Sequence, residues 1–504
     1  MSRLFRRKSL DALLAESEDP ATHLKRTLGP IELIALGIGA IIGAGIFAVI
    51  GTASAGGANH VGAGPALVIS ILITAFGCGL CALCYAEFAA LVPISGSAYT
   101  YSYATLGEFI AWIIGWDLII EYAMGNVAVA VSWSGYFCEL LRGFGIDVPA
   151  WLRTDLRTAL RSPEIVASAP HLAGIPIIFN LPAVVITGLV TWILVIGIKE
   201  SSRFNAAMVV VKVAILIFFI AVGAFYVRPE NWTPFAPNGW SGIGVGAALI
   251  FFAYIGFDAV STAAEECRNP QKDMPIGMIG SLLICSVIYV LVALVLTGML
   301  PMSEIKGSAE PLAKAFSVLG MNWAAGIVAF GAVIATTAVL LVFQLGQARI
   351  FFSMARDGLL PPSFAAVHPR YRTPHVTTIW TGVAVAGLAA FANLDVFVEL
   401  TNIGTLFAFV LVSIAVIVLR HTDPDRPRAF RTPFVPFVPL LGVAICLYLM
   451  TSLPVATWIR FGIWLLIGVV FYFLYGYRHS RLSRGGGKPP RPADFNPGSQ
   501  FPET

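Results

Sequence analysis

The sequence predicts an all-α polytopic membrane protein with twelve transmembrane helices. Three observations carry that expectation. The chain of 504 residues is 57% hydrophobic and 12% charged, with a mean hydropathy of +0.82, where a soluble domain carries about 25% charged residues. Its apolar residues fall into twelve runs, near 31–53, 65–92, 107–138, 179–197, 204–226, 241–264, 275–299, 323–348, 376–394, 396–419, 434–454 and 458–476. Each run can cross about 30 Å of hydrocarbon. With both termini placed inside, 23 Lys and Arg fall in inner segments and 8 in outer ones, the asymmetry that the positive-inside rule demands. The net charge of +4 is small; its distribution is what informs.

Residues 1–30 form a cytoplasmic tail, in which Ser9–Ser17 reads as a solvated stretch or a short interfacial helix. No signal peptide is expected, since the first apolar run is too long and lacks a small-residue cleavage pattern. That run holds Gly37, Gly39, Gly43 and Gly45 within nine residues. A glycine costs about 1 kcal/mol relative to alanine inside a helix. Two accounts compete: close helix packing through the Gly39/Gly43 pair, or a helix broken at mid-depth. A break exposes N–H groups at one end and C=O groups at the other, which attract an anion and a cation, the two poles of an amino acid.

The second run carries Cys78, Cys81 and Cys84 at iron–sulfur spacing. Thiolates there would sit in hydrocarbon and no fourth Cys-Pro follows, so small packing residues are the better reading. The inner loop 93–106 has no charge and is expected to pack against the bundle; the outer loop 139–178 is the longest and could cap the outer side. No disulfide framework is expected, because only Cys138 lies near that side. The sixth run, Phe251-Phe-Ala-Tyr-Ile-Gly-Phe-Asp258, puts a glycine and a carboxylate at mid-depth. It is a second break, and it decides between the two accounts of the first.

Runs 1 and 6 correspond if runs 1–5 and 6–10 are repeats. Interruptions in matching places mark the substrate site of a secondary transporter. An odd number of spans per repeat makes the halves inverted. The expected division is a tail at 1–30, a first repeat at 31–226, a second at 227–419, helices 11 and 12 at 420–476, and a disordered cytoplasmic tail at 477–504. Both termini are then cytoplasmic and the location is the cell membrane.

Three motifs carry a resemblance: Gly43-Ala-Gly-Ile-Phe47, the Glu265-Glu-x-x-Asn-Pro270 stretch, and Arg356-Asp-Gly-Leu-Leu-Pro361. With them the chain, over residues 25–480, resembles the amino acid–polyamine–organocation superfamily and, within it, bacterial members of the cationic amino acid transporter family. The resemblance implies a LeuT-like fold of five-plus-five inverted repeats with discontinuous helices 1 and 6, two appended helices, and amino-acid uptake coupled to protons. A small accessory membrane peptide or a sterol-like lipid is a further partner it brings in; nucleic acid, cofactor and metal are not expected. One departure is Ala44, where the family often has Ser or Thr. Backbone N–H groups must then hold the substrate carboxylate alone.

Charges within the membrane are functional candidates by default. Lys212 lies eight residues into the fifth run, about 12 Å deep at ~1.5 Å per residue, too deep for relaxed snorkelling. In sodium-coupled relatives of this fold a cation sits between the break of helix 1 and hydroxyls of helix 8. The resemblance places the Lys212 ammonium there, against carbonyls near Gly39–Ile42, as a proton switch. A purely structural lysine is the alternative. Asp117 and Glu121 are one turn apart on one face. Glu121 could share a proton with Asp258 or balance Lys212, or either acid could be structural. Glu87 suits a cytoplasmic network. Thr336 and Thr337 could ligate sodium, though such threonines more often bond their own backbone. All seven histidines fall in tails or loops, which argues against a histidine relay.

The expected substrate is an L-amino acid. Its carboxylate would meet the N–H groups of Gly43, Ala44 and Gly45, and its ammonium the carbonyls of Ile41, Phe252, Ala253 and Ile255, with Asp258 nearby. Phe252, Ile255, Phe257 and Leu340 make the surroundings apolar, so small neutral amino acids such as alanine come first; arginine, lysine and ornithine are the alternative. The chain offers no nucleophile or metal constellation for an intramembrane enzyme. A channel would lack paired breaks, and a non-transporting sensor would usually bring a sizeable soluble domain.

Overall fold

The computed structural model describes residues 3–8, 28–57, 60–91, 97–172, 174–197, 202–371, 373–391, 393–428 and 430–482. The Ser9–Ser17 stretch, the tail beyond Arg484 and the side chains of Glu265 and Glu266 lie outside them. The main helices, in chain order, are α1 (Pro30–Ile41), α2 (Gly45–Ala55), α3 (Leu67–Leu91), α4 (Ser97–Thr105), α5 (Glu108–Gly143), α6 (Leu181–Ile196), α7 (Ser202–Gly223), α8 (Gly239–Ile250), α9 (Pro270–Met299), α10 (Asn322–Arg356), α11 (His375–Phe391), α12 (Leu394–Thr422), α13 (Phe437–Thr451) and α14 (Val455–Phe471). Among the described residues seven helical segments are long and apolar enough to cross a membrane, and α1 with α2 forms an eighth, bent by 46°. Four shorter apolar helices, α6, α8 with its extension to Tyr254, α11 and α13, complete the set. The protein is a polytopic helical bundle.

Local chemistry sets the ends. Pro30 opens α1, and Glu32 turns back so that the Gly29 N–H donates to its Oε2 at 3.0 Å, the carboxylate half of a capping box. Asn180 caps α6, accepting from the Ala183 N–H at 3.2 Å. The packing centre is α5, which lies against α10 and α12, while α9 lies against α1 and α3. The uncharged stretch 93–106 holds α4, which is buried as its composition suggested. The long loop expected at 139–178 starts late, because α5 runs on to Gly143; its described residues contain a 3₁₀ turn, two short α-helices and a two-stranded hairpin, His171–Leu172 with Ile175–Pro176.

The end of the bundle that carries the first described residues, the proximal face, is tied by polar side chains. Glu87 accepts a bidentate pair from Arg420 at 2.8 and 2.9 Å and a third bond from the Thr432 N–H at 2.8 Å. Glu108 accepts from Tyr103 and Tyr472, both at 3.0 Å. Lys8 reaches Asp357 at 2.6 Å, where Tyr99 also donates, at 2.7 Å. The cysteines among the described residues are free and buried, as packing residues should be. Thr336 and Thr337 each donate to their own helix backbone, at 2.7 Å.

The opposite, distal face is closed in part by Glu310, which precedes the short helix Pro311–Val318 and presses on Gly135 of α5. Burial, then the neighbouring Glu139 carboxylate, hold Glu310 above its ordinary 4.5; Arg153, Lys314 and Arg142 oppose them. A carboxyl with a raised folded value stabilises fully below its unfolded value and loses that contribution as pH climbs through the folded one. The thermal unfolding temperature of the detergent-solubilised protein is therefore expected to fall as pH rises above about 4.5, and Glu310→Gln is expected to flatten that slope.

Candidate functional site: two crossed helix breaks

The site is made by two interruptions meeting. After Ile41 the chain leaves α1 with Ile42 extended (φ −74°, ψ 103°), and resumes at Gly45 in a wide π turn that leads into the rest of α2. After Tyr254 the second interruption has Ile255 extended (φ −60°, ψ 132°) and Gly256 left-handed at φ 118°. It then continues from Phe257 to Glu266 as tight 3₁₀ turns rather than the α-helix that the sequence suggested.

The two breaks touch backbone to backbone, twice and reciprocally. A Cβ on Gly45 would lie 2.2 Å from the Cα of Ala253, and one on Gly256 would lie 2.7 Å from the Ala40 carbonyl oxygen. No side chain fits at either point, and Gly256 also needs the backbone freedom of glycine. The glycines are therefore there to let the two chains cross. Gly43 packs separately, against Val339 of α10.

Broken helices leave carbonyls without intrahelical partners, and neighbouring side chains supply them. Tyr289 of α9 sets its hydroxyl between Ile41 O at 3.1 Å and Ala253 O at 3.0 Å, one carbonyl from each break. Lys212 of α7, 1% exposed, donates from Nζ to Gly39 O at 2.7 Å. Asn402 of α12 donates to Ala248 O at 2.7 Å and Leu249 O at 3.2 Å, just before the second break. Tyr136 of α5 bonds the Phe47 carbonyl beyond the first. On the donor side, Gly45 opens its helical segment with Ala44 as cap; of its first turn the Phe47 N–H donates to Gly43 O at 3.3 Å, and helix geometry leaves the N–H groups of Gly45 and Ile46 without a partner inside the segment.

A small cavity adjoins the crossing, lined by Ala40, Glu121, Tyr122, Ile255, Gly256, Asp258, Val342, Phe343 and Thr401. Two carboxyl groups reach it. Asp258 Oδ1 accepts from the Gly256 N–H at 3.2 Å, so the acid fixes the turn it follows. Glu121 Oε2 is buried with no hydrogen-bond partner, and Asp117, one turn away, is fully buried with neither oxygen bonded. Tyr122 and Thr401 add hydroxyl-bearing side chains, and Ala40, Ile255, Val342 and Phe343 make the apolar part of the wall.

Of the residues singled out in the sequence, Ile41, Gly43, Ala44, Gly45, Phe252 and Ala253 lie in or beside the crossing; Ile255, Asp258 and Glu121 face the cavity. Lys212 meets the first break at Gly39, and Leu340 is buried without lining the cavity. Sequence reasoning missed Tyr289, Asn402, Tyr122, Val342, Phe343 and Thr401. Asn402 carried a signal, since an amide at mid-span needs a partner. The other five stand in uninterrupted helices and show nothing by pattern. The histidine reading needs correction, since His375 opens α11, His421 lies in the last turn of α12 and His479 ends a short helix; His60 does lie in a loop, yet its ring is buried against Glu399.

The model of the amino acid permease family matches residues 28–474, nearly the whole bundle. The chain belongs to that family. It is 49% identical to a branched-chain amino acid permease of Bacillus subtilis over 95% of this chain and 99% of that one. It is 48% identical to a methylthioribose transporter of the same organism over 96% of this chain and 100% of that one. With a vacuolar cationic amino acid transporter of Arabidopsis thaliana the identity is 32%, over 96% and 97% of the two chains. This family member is a multi-pass membrane transport protein of the amino acid–polyamine–organocation superfamily, not an enzyme.

The Gly45–Ala253 approach gives a sharp expectation. Gly45→Ala would drive its methyl into backbone, so the chains must separate. Thermal unfolding in detergent is expected to drop by several degrees, while Gly79→Ala, whose Cβ meets nothing within 4 Å, leaves it unchanged. Equal melting of the two variants would contradict the contact.

Proposed function

We propose that this family member imports neutral L-amino acids across the cell membrane by proton symport with alternating access. The observation that carries the reading is the crossing of two broken helices beside a cavity holding Glu121 and Asp258. Interrupted helices of this kind offer N–H groups to a carboxylate and carbonyls to an ammonium. The proposed pose puts the substrate carboxylate on Gly43, Ala44 and Gly45, and its ammonium near the carbonyls of Ile41, Phe252, Ala253 and Ile255. Tyr289 holds two of those carbonyls and would yield to the ammonium. The proposed architecture has twelve spans, with α6, α8, α11 and α13 crossing like the longer helices, inverted repeats at 31–226 and 227–419, and helices 11 and 12 at 420–476. The proximal face, with both termini, is the cytoplasmic one in this account.

Selectivity is argued from the walls. Ile255, Val342 and Phe343 favour an apolar side chain, which suits alanine and, in line with the Bacillus permease's name, branched-chain amino acids. A cationic substrate is the second reading, because Glu121 and Asp258 also face the cavity.

Coupling is argued from charge. The Lys212 ammonium bonds Gly39 O, where a sodium ion beside the first break would also have to sit. At ~4 Å and an effective dielectric of about 20 the two cations repel by roughly 4 kcal/mol. A proton on Lys212, with Glu121 as the acid on the substrate side, takes the place of sodium. A charged lysine then grips the break while substrate is enclosed, and loss of its proton toward the cytoplasm loosens it.

Counterflow of labelled alanine in vesicles containing the purified protein tests the substrate assignment. Unlabelled alanine, leucine and valine are expected to compete, and arginine and methylthioribose to fail. Competition by arginine alone would move the protein to cationic substrates. Competition by methylthioribose alone would remove it from amino-acid transport.

A further inference from the structure

The distal end of the bundle holds a second cluster of titratable groups, remote from the crossed breaks. After α2 the chain folds back on itself: the Gly57 N–H donates to His60 O at 3.1 Å and the Ala63 N–H to Ala53 O at 2.9 Å. This tight return turns His60 inward. Its side chain is 4% exposed, and its Nδ1 lies 3.7 Å from Glu399 Oε1 of α12. The other Glu399 oxygen accepts from the Thr457 hydroxyl of α14 at 2.6 Å. Also beside the ring stands Asp395, one helical turn before Glu399. A Cβ on Gly57 would sit 2.7 Å from His60 Nε2 and 2.8 Å from Asp395 Oδ2, so ring and carboxylate flank the same point. Neither imidazole nitrogen has a hydrogen-bond partner, although both are buried.

We infer that His60, Asp395 and Glu399 form a proton-binding site that fastens the end of α2 to α12 and α14. A neutral imidazole has one N–H donor and one acceptor lone pair. Whichever tautomer forms, one ring nitrogen then faces a carboxylate with a lone pair. A protonated ring has two donors and a carboxylate for each, and its charge compensates two acids buried together. The other groups acting on the cluster are Thr52 and Asp155 toward Asp395, and Arg460 toward Glu399. Among them only Arg460 is cationic, and it is exposed; the ring is the one place within the cluster for a buried positive charge. Three segments are thereby joined: the strap after the broken first helix, the start of α12, and the start of α14. On the orientation proposed above this is the outer face, so acid outside tightens the closure of the outer half of the first helix.

The test reads stability rather than uptake, so its result is independent of the substrate and coupling assignments. Thermal unfolding of the full chain in detergent is followed from pH 5 to 8 for the wild type, His60→Gln and Glu399→Gln. Any response of Glu310 is common to all three and cancels in the differences. The wild type is expected to gain several degrees over His60→Gln at the acid end, and that advantage is expected to shrink toward pH 8. Glu399→Gln is expected to lose most of the same pH-dependent gain. A difference between wild type and His60→Gln that is constant with pH would make His60 a packing residue and overturn the inference. Should His60→Gln fail to fold, Asp395→Asn serves in its place: retention of the full pH-dependent gain in that variant would likewise overturn it.

Discussion

Backbone that leaves a helix inside a membrane must find partners within the protein, since lipid supplies none. Here two such stretches meet each other, and the rest of the bundle is arranged to make that meeting possible. Gly45 and Gly256 let the chains come within backbone contact. The freed carbonyls are then bonded by side chains that arrive from four other helices. Tyr289 bridges one carbonyl from each break, Lys212 bonds Gly39, Asn402 bonds the last turn of α8, and Tyr136 bonds Phe47. Each of these helices is thus keyed to the crossing by a polar bond, on top of apolar packing that specifies position only loosely.

The same arrangement is what a membrane permease needs. Groups that satisfy the breaks through side chains can exchange with groups on a substrate, whereas a continuous helix has nothing to exchange. Tyr289 is the clearest case, because one hydroxyl stands between two carbonyls and has a single hydrogen to give. Lys212 differs in kind: it bonds the first break at Gly39 and does not line the cavity. In the proposed mechanism that separation lets substrate and proton act on one segment of backbone without touching each other, a physical route to coupling.

Much of this was legible in the sequence, and the illegible part has a definite cause. The breaks were readable because Gly43, Gly45, Gly256 and Asp258 violate the pattern of their own apolar runs. Lys212 was readable by depth alone, and Glu87 by its place at a helix end. What the sequence could not display was pairing. Nothing in Gly45 names Ala253, and nothing in Gly256 names Ala40; each contact exists only once both helices are placed. Tyr289 and Phe343 failed for the same reason, being ordinary residues in unbroken helices. His60 shows the reverse error. Its loop position argued against a relay role, but a tight return carried the ring under the end of α2, beside two acids from a helix more than 300 residues away.

The central claim is that a single ammonium at the first break links proton movement to transport, and one experiment addresses it directly. Vesicles containing the purified protein are given an inward pH gradient in sodium-free buffer, and labelled alanine uptake is followed for the wild type and Lys212→Ala. The account predicts concentrative uptake by the wild type, and none by Lys212→Ala, which still exchanges labelled for unlabelled substrate across the membrane. Uptake that is absent under the pH gradient yet appears with a sodium gradient would contradict it, leaving Lys212 a structural tie.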